Sequence, residues 1–343
     1  MATLRSDVII PEVFESYVNE ETTKKDAFLA SGVVQPMAQL NASEDGGDFV
    51  NVPFWNANLN STFKVLTDST SLVPEKITAD KQVAAVLHRG DAFEARDLAA
   101  LAAGSDPLKA VGTKLASYIA HERQKDLLNT LAGVFGDLSA LNAGNTAFSD
   151  LAVDALSGDT RTPLSPGHIA KAKAKLGDQG GKLTSICVHS NVFYDLLERK
   201  MVDFVLATDA NASATASGGS IAAAYGGEGT IPKYCGLNVI VSDDVTTKGS
   251  GASTVYATYL FANGSVGSGE QAGLKTEFDR DILAKSDAMS FDLHYIYHPI
   301  GSKWAVTTAN PTAAQLSTVT NWSKVYETKN IGIVRVSNLS NMD

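Results

Sequence analysis

Ser105-Asp106-Pro107-Leu108-Lys109-Ala110-Val111 opens the stretch that decides the fold, and Val134-Phe135-Gly136 closes it. Asp106 can accept from the free N–H groups of a first helical turn, and Pro107 suits the first helical position. A helix from there to about Gly136 is about 45 Å long. Its apolar residues do not form one stripe. Val111, Leu115, Tyr118 and Ile119 share one face, whereas Leu127, Leu131, Val134 and Phe135 lie roughly opposite. Between them runs His121-Glu122-Arg123-Gln124-Lys125-Asp126, polar on every side. Two opposed patches on one long helix describe a strut between layers, not a bundle helix.

Upstream, residues 46–100 read as a long hairpin. Phe49-Val50-Asn51-Val52-Pro53-Phe54-Trp55 is rich in strand formers, the Asn-rich Asn56–Thr62 stretch suits turns, and an extended region returns from Phe63 through Ile77–Leu87. Phe54, Trp55 and Phe63 fall near its tip with Lys64 beside them. A projecting hairpin cannot bury three aromatics against itself, so they are expected to meet another chain. Residues 1–45 read as an extended arm. Pro11–Lys25 can form a short amphipathic helix with Phe14 and Tyr17 on its apolar side, and that side needs a second surface.

Downstream, a polar linker with Gly158-Asp159-Thr160-Arg161 leads to a short helix capped by Ser165-Pro166 and ended by Gly177. Leu183–Val188 reads as a buried strand, and Ser190 as the cap of a helix carrying Val192, Phe193, Leu196, Leu197 and Met201. Residues 207–230 are rich in Ala, Ser, Gly and Thr and read as a loop ordered only by neighbours. Strands follow at Gly236–Asp243, Val255–Phe261 and Lys275–Asp279. In Phe291–Tyr297 the apolar residues alternate with Asp292 and His294, the signature of a half-buried strand. Two last strands are expected near Trp322–Thr328 and Ile331–Val336.

The composition is globular, with 44% hydrophobic and 19% charged residues among 343. The net charge, 28 − 38 = −10, disfavours direct gripping of phosphate, which depends on Lys and Arg. Cys187 and Cys235 read as reduced thiols acting as small core hydrophobes. The N-terminus has no apolar run long enough for a signal peptide or a membrane span.

No catalytic, cofactor-binding or metal residue is assigned. Gly180-Gly181-Lys182-Leu183 lacks the Ser or Thr of a phosphate-binding loop, and Gly226-Gly227-Glu228-Gly229 lacks the strand and helix of a dinucleotide fingerprint. Asp292, His294 and His298 share a strand face, but residues four apart on a strand lie about 13 Å apart, too far to share one ion. His189-Ser190 is better explained by helix capping than by nucleophile activation. Lys171, Lys173 and Lys175 read as a solvated helix with no aromatic residues interleaved to stack bases.

The order of parts resembles the major capsid proteins of tailed bacteriophages with the HK97-like fold. Local text carries the likeness at Ile231–Asp243, at Val188–Leu197, and at Glu277-Phe278-Asp279-Arg280-Asp281 followed by Phe291–Tyr297 and His298-Pro299-Ile300-Gly301. The resemblance implies an α+β chain with an N-terminal arm (1–45), an extended E-loop (46–100), a peripheral domain carrying the spine helix (101–160), an axial domain (161–269) and return strands (270–343). It implies a non-enzymatic shell protein, with Phe54, Trp55, Phe63 and Lys64 of the E-loop and Phe14 and Tyr17 of the arm at contacts between subunits. The expected partners are further copies in hexamers and pentamers, a separate scaffolding protein, a portal and a decoration protein, around enclosed DNA and without a membrane. Assembly is expected in the host bacterial cytoplasm and residence in the virion. A nanocompartment shell of the encapsulin type shares this fold, and a hydrolase with an unrecognised motif is the reading from another class.

Overall fold

The computed structural model describes residues 27–41, 47–55, 77–97, 107–136, 138, 147–157, 160–206 and 230–342. A single helical turn, Ala27–Ala30, buries Phe28 edge-on against Phe261 at 5.9 Å and leads into β1 (Val34–Pro36). β2 (Phe49–Trp55) and β3 (Ala79–Ala85) form a two-stranded antiparallel hairpin, in register from Phe49 opposite Ala85 to Trp55 opposite Ala79. Only Val86 separates β3 from β4 (Leu87–Arg96). The 105–136 stretch then yields α1 (Pro107–Phe135), which stops at Gly136, whose φ of 79° suits glycine.

The next segment is the mixed unit read from the sequence. It comprises β5 (Ala152–Asp154), α2 (Pro166–Lys175), β6 (Leu183–Val188), α3 (Ser190–Glu198), β7 (Asp203–Leu206), β8 (Thr230–Tyr234), β9 (Leu237–Val241) and β10 (Val255–Ala262). The chain then runs through β11 (Val266–Asp281), β12 (Ser286–Pro299), β13 (Ser302–Trp304), α4 (Ala313–Leu316), β14 (Trp322–Lys324) and β15 (Ile333–Asn338).

Two sheets organise these elements. One has the order β1-β11-β12-β4, a long antiparallel ribbon with β1 added in parallel. The other has eight strands in the order β5-β15-β10-β6-β9-β8-β7, with Thr247–Lys248 pairing on β10. Every residue of β10 is buried, which marks the centre of this sheet. Fully burying one Val, Leu or Phe contributes about 1.5–3 kcal/mol, so β10 with Ile186, Cys187 and Val188 of β6 forms a large part of the core.

The helix α1 bridges the two sheets, as its opposed faces imply. Its first half meets the long ribbon, where Tyr118 packs edge-on to Phe93 and Phe291. Its end meets the core of the eight-stranded sheet through Phe135, whose ring lies 6.1 Å from Phe148 and 5.9 Å from Tyr259. Arg335 of β15 is buried here. It donates to the Gly136 carbonyl at 2.7 Å and lies over the Phe135 ring, giving the helix C-terminus a cationic cap.

Several local expectations change. The polar centre of α1 is not solvated all round: Asp126 is buried. β4 does not continue the projecting hairpin but pairs with β12 over Leu87–Arg96. Cys187 is buried as expected, but Cys235 is exposed. Cys235 and Gly236 occupy the two-residue turn between β8 and β9, both with positive φ (50° and 79°), a turn whose twist matches the strands it joins. The helix caps differ too. His189, not Ser190, caps α3, its ring nitrogen Nδ1 accepting from the Asn191 N–H at 3.1 Å. The Ser165 hydroxyl pairs with the His168 ring at 2.9 Å and makes no capping bond to the α2 backbone.

Candidate functional site

Four local arrangements decide what the chain's surfaces can do. The first is the β2–β3 hairpin. Val50, Val52 and Phe54 point to one side of β2 by strand alternation and are half-buried. Val50 and Val52 pack on a small cluster of Leu40, Ala84, Val86 and Ile296. Phe54 meets Tyr326 of its own chain, with ring centroids 4.7 Å apart and planes at 80°. Gln82 locks the hairpin to the body, its Nε2 donating to the Tyr326 hydroxyl and its Oε1 accepting from the Gly301 N–H, both at 2.9 Å. Trp55 faces the other way and is 71% exposed. Of the residues expected at contacts, Phe54 thus has an intrachain partner and Trp55 stands free in solvent. Phe63, Lys64, Phe14 and Tyr17 lie outside the described residues, as do Asp106 and nearly all of the 207–230 loop.

The second arrangement was missed in the sequence. The β11–β12 hairpin ends at Ile282 and Leu283, which are 79% and 97% exposed, with Phe278 half-exposed below them. Asp281 Oδ1 accepts from the N–H groups of Leu283 and Ala284, so the turn is shaped by its own side chain. Arg280 clamps its base, donating to Asp97 and Asp287 at 2.7 Å each. Two aliphatic residues inside a turn were the available signal.

The third is the polar joint between α1 and the ribbon. Asp126 accepts from Arg89 Nε at 3.0 Å and from the Tyr295 hydroxyl at 2.7 Å. Arg89 also donates to Asn310 Oδ1 and the Pro311 carbonyl. The Arg123 guanidinium lies 5.1 and 5.2 Å from the Tyr295 and Tyr297 ring centres. Burial and the adjacent Asp126 hold the Tyr295 hydroxyl well above its ordinary pKa, so it remains a donor.

The fourth concerns the histidines. Asp292 and His294 share a face of β12 as expected, and His88 of β4 stands directly opposite His294. The His88 and His294 rings lie 3.8 Å apart between centroids. Burial first, then His88 and Lys275, lower the His294 pKa, while Asp292 raises it. His298 lies apart from this group, fully buried, its Nε2 3.1 Å from the Ser302 carbonyl that it donates to and its Nδ1 without a hydrogen-bond partner among the described residues.

Burial lowers the His298 pKa from 6.5 to about 4. Between these values the unfolded chain binds a proton that the folded chain refuses. Stability from this group is therefore intact above pH 6.5 and declines as pH falls toward about 4, by on the order of 3 kcal/mol in all. Urea unfolding across that range is expected to show a shallower pH slope in His298→Gln than in the unaltered protein. Equal slopes would contradict it.

His189, Ser190 and Asp243 lie close together, but their bonds do not activate a nucleophile. His189 Nδ1 accepts from the Asn191 N–H at 3.1 Å and stands 3.5 Å from the Ser190 hydroxyl, the outer limit of a hydrogen bond, while that hydroxyl bonds the Asp243 carboxylate and lowers its pKa. No helix among the described residues is long and apolar enough to cross a membrane.

The chain presents a long strut helix, an extended ribbon, a hairpin bolted at its root and apolar residues turned outward, and solved structures share its fold. A capsid subunit of cyanophage Pam1 superposes with a TM-score of 0.60 at 14% identity, over 94% of each chain. A capsid subunit of Ralstonia phage GP4 gives 0.58 at 9% identity, over 92% of each. At such identities the likeness is one of fold, and the fold is the α+β HK97-like capsid fold. The major capsid protein of Bacillus phage SPP1 is 34% identical over 338 residues, 96% of either chain. Residues 30–332 match the Gp13-like family, described as Major capsid protein 13-like, and the chain belongs to that family. It is thus a structural component of a bacteriophage capsid and not an enzyme, which sets aside both the nanocompartment and the hydrolase readings.

Proposed function

We propose that this chain tiles an icosahedral phage head as hexamers and pentamers enclosing double-stranded DNA, and that the β2–β3 hairpin and the β11–β12 tip are where neighbouring copies grip each other. The observation that carries this reading is Trp55, 71% exposed on the face of β2 turned away from the body of the chain. Ile282 and Leu283 repeat the pattern at the other tip. Phe63 and Lys64 of the same loop, and Phe14 and Tyr17 of the arm, extend the contact set. The divisions 1–45, 46–100, 101–160, 161–269 and 270–343 then correspond to arm, E-loop, spine helix with peripheral domain, axial domain and return strands. A separate scaffolding protein, a portal and a decoration protein complete the particle, which assembles in the host bacterial cytoplasm. The acidic charge fits a wall that encloses DNA without gripping it.

Trp55→Ala is expected to leave the subunit folded, since the side chain touches little of its own chain. Each contact should weaken by about 1–2 kcal/mol, the scale of an aromatic anchor. Many copies act together in a closed shell, so the temperature at which purified particles dissociate should fall visibly in a light-scattering melt. An unchanged dissociation temperature, or a solvent-exposed Trp55 in the assembled particle, would defeat the reading.

A further inference from the structure

We propose that His88, Asp292 and His294 form a binding site for a first-row divalent cation of the zinc type, joining β4 to β12 at the root of the hairpin. One ligand atom from each residue lies within 4.8 Å of the other two. His294 Nε2 and Asp292 Oδ2 are 3.8 Å apart. In a tetrahedral zinc site with bonds of about 2.0–2.1 Å, neighbouring ligand atoms sit about 3.3 Å apart. Side-chain rotations of about 0.5–1.5 Å therefore close the set, well within rotamer freedom at a half-exposed site. Two imidazoles and one carboxylate suit zinc, and water would fill the remaining positions.

Three features of the surroundings favour a built site over the polar face of a strand. His294 Nδ1 lies 3.3 Å from Gln271 Oε1, so the carboxamide oxygen can accept from Nδ1–H and fix the tautomer that leaves the Nε2 lone pair on the Asp292 side. Gly90 stands opposite Asp292, and a Cβ there would meet the Phe291 carbonyl oxygen at 2.6 Å and Asp292 Cβ at 3.3 Å, so the close backbone approach that glycine allows also leaves the Asp292 side chain uncrowded on this side. The His88 backbone is held by Asn310, whose Oδ1 accepts its N–H at 3.0 Å. Lys275 stands opposite Asp292 in the β11–β12 register, and its positive charge near His294 is one that a bound cation has to outweigh. Sequence spacing offered only His298 beside Asp292 and His294, too far along the strand to share an ion, and so assigned no metal site. The register of β4 on β12 supplies His88 in place of His298.

The test uses the full chain, stripped with a chelator and titrated with Zn²⁺ by calorimetry, with metal content measured after dialysis. Saturation is expected at one ion per chain, accompanied by a higher unfolding temperature. Co²⁺ in place of Zn²⁺ should give the visible absorption of a tetrahedral nitrogen–oxygen site. His88→Ala, at an exposed position that leaves the fold intact, should weaken binding by at least about tenfold, and Gln271→Ala by about 10–100-fold. His121→Ala, in a different salt bridge, should bind as the unaltered chain does. Absence of saturable binding, or binding unchanged in both His88→Ala and His294→Ala, overturns the proposal.

Discussion

Replacing Gly133 with alanine is expected to lower the unfolding temperature by about 4 °C, against the direction that helix propensity alone would give. Alanine in a helix interior is favoured over glycine by about 1 kcal/mol. At Gly133, however, a Cβ would collide with the Leu316 carbonyl oxygen and come within 2.7 Å of Trp322 Nε1. Those two atoms are themselves bonded, Trp322 donating to Leu316 O at 2.8 Å. The obstruction is backbone on one side and a buried indole on the other, so neither side gives way cheaply. Overpacking costs about 1–3 kcal/mol and sometimes more, and the strained hydrogen bond adds about 1 kcal/mol. The net loss, about 3 kcal/mol, corresponds to the stated shift for a chain of this size. Gly181→Ala is the control, because a Cβ there meets nothing within 4 Å. Calorimetric scans in which both variants match the unaltered protein would show that α1 does not sit this close to α4.

Asp126→Ala is the second large effect. The carboxylate is the shared acceptor for Arg89 and Tyr295, and its removal strands a guanidinium and a phenol in the joint between α1 and the ribbon. Removing one partner of a buried pair costs about 3–5 kcal/mol. Arg89 is partly exposed and keeps Asn310 and Pro311 as acceptors, which reduces the figure to about 2–3 kcal/mol. Pairing Asp126→Ala with Tyr295→Phe in a double-mutant cycle should give strongly non-additive losses. Additive losses in denaturant unfolding would mean that the two groups do not share the joint.

How much of this was legible in the sequence depended on how local the cause was. The strut helix was readable because Pro107 and Gly136 bound it and its faces follow a 3.6-residue period. The β12 strand was readable because Phe291, Leu293, Tyr295 and Tyr297 alternate with polar residues. The full extent of β11 was not. Its first half includes Gly267 and Gly269, which are small because Leu40 and Met37 press on them from a distant segment. Hydrophobic alternation therefore fails where tertiary packing demands glycine. The polar centre of α1 showed no partners because Arg89 and Tyr295 come from strands far away in the chain. His88 and His294 are 206 positions apart in number and meet only through strand register, which one sequence does not display. The exposure of Trp55 was foreseeable from its place near the tip. The partnership of Phe54 with Tyr326 was not, because it also spans most of the chain.

The single residue between β3 and β4 has a mechanical consequence. Tension applied at the hairpin tip travels along β3, through Val86, into a strand paired with β12 over ten residues from Leu87 to Arg96. The hydrogen bonds of that pairing run across the strands, so a pull along β4 loads them in parallel and does not unzip them one by one. A pull on the hairpin is therefore resisted in shear, the direction in which a β-ribbon is hardest to rupture.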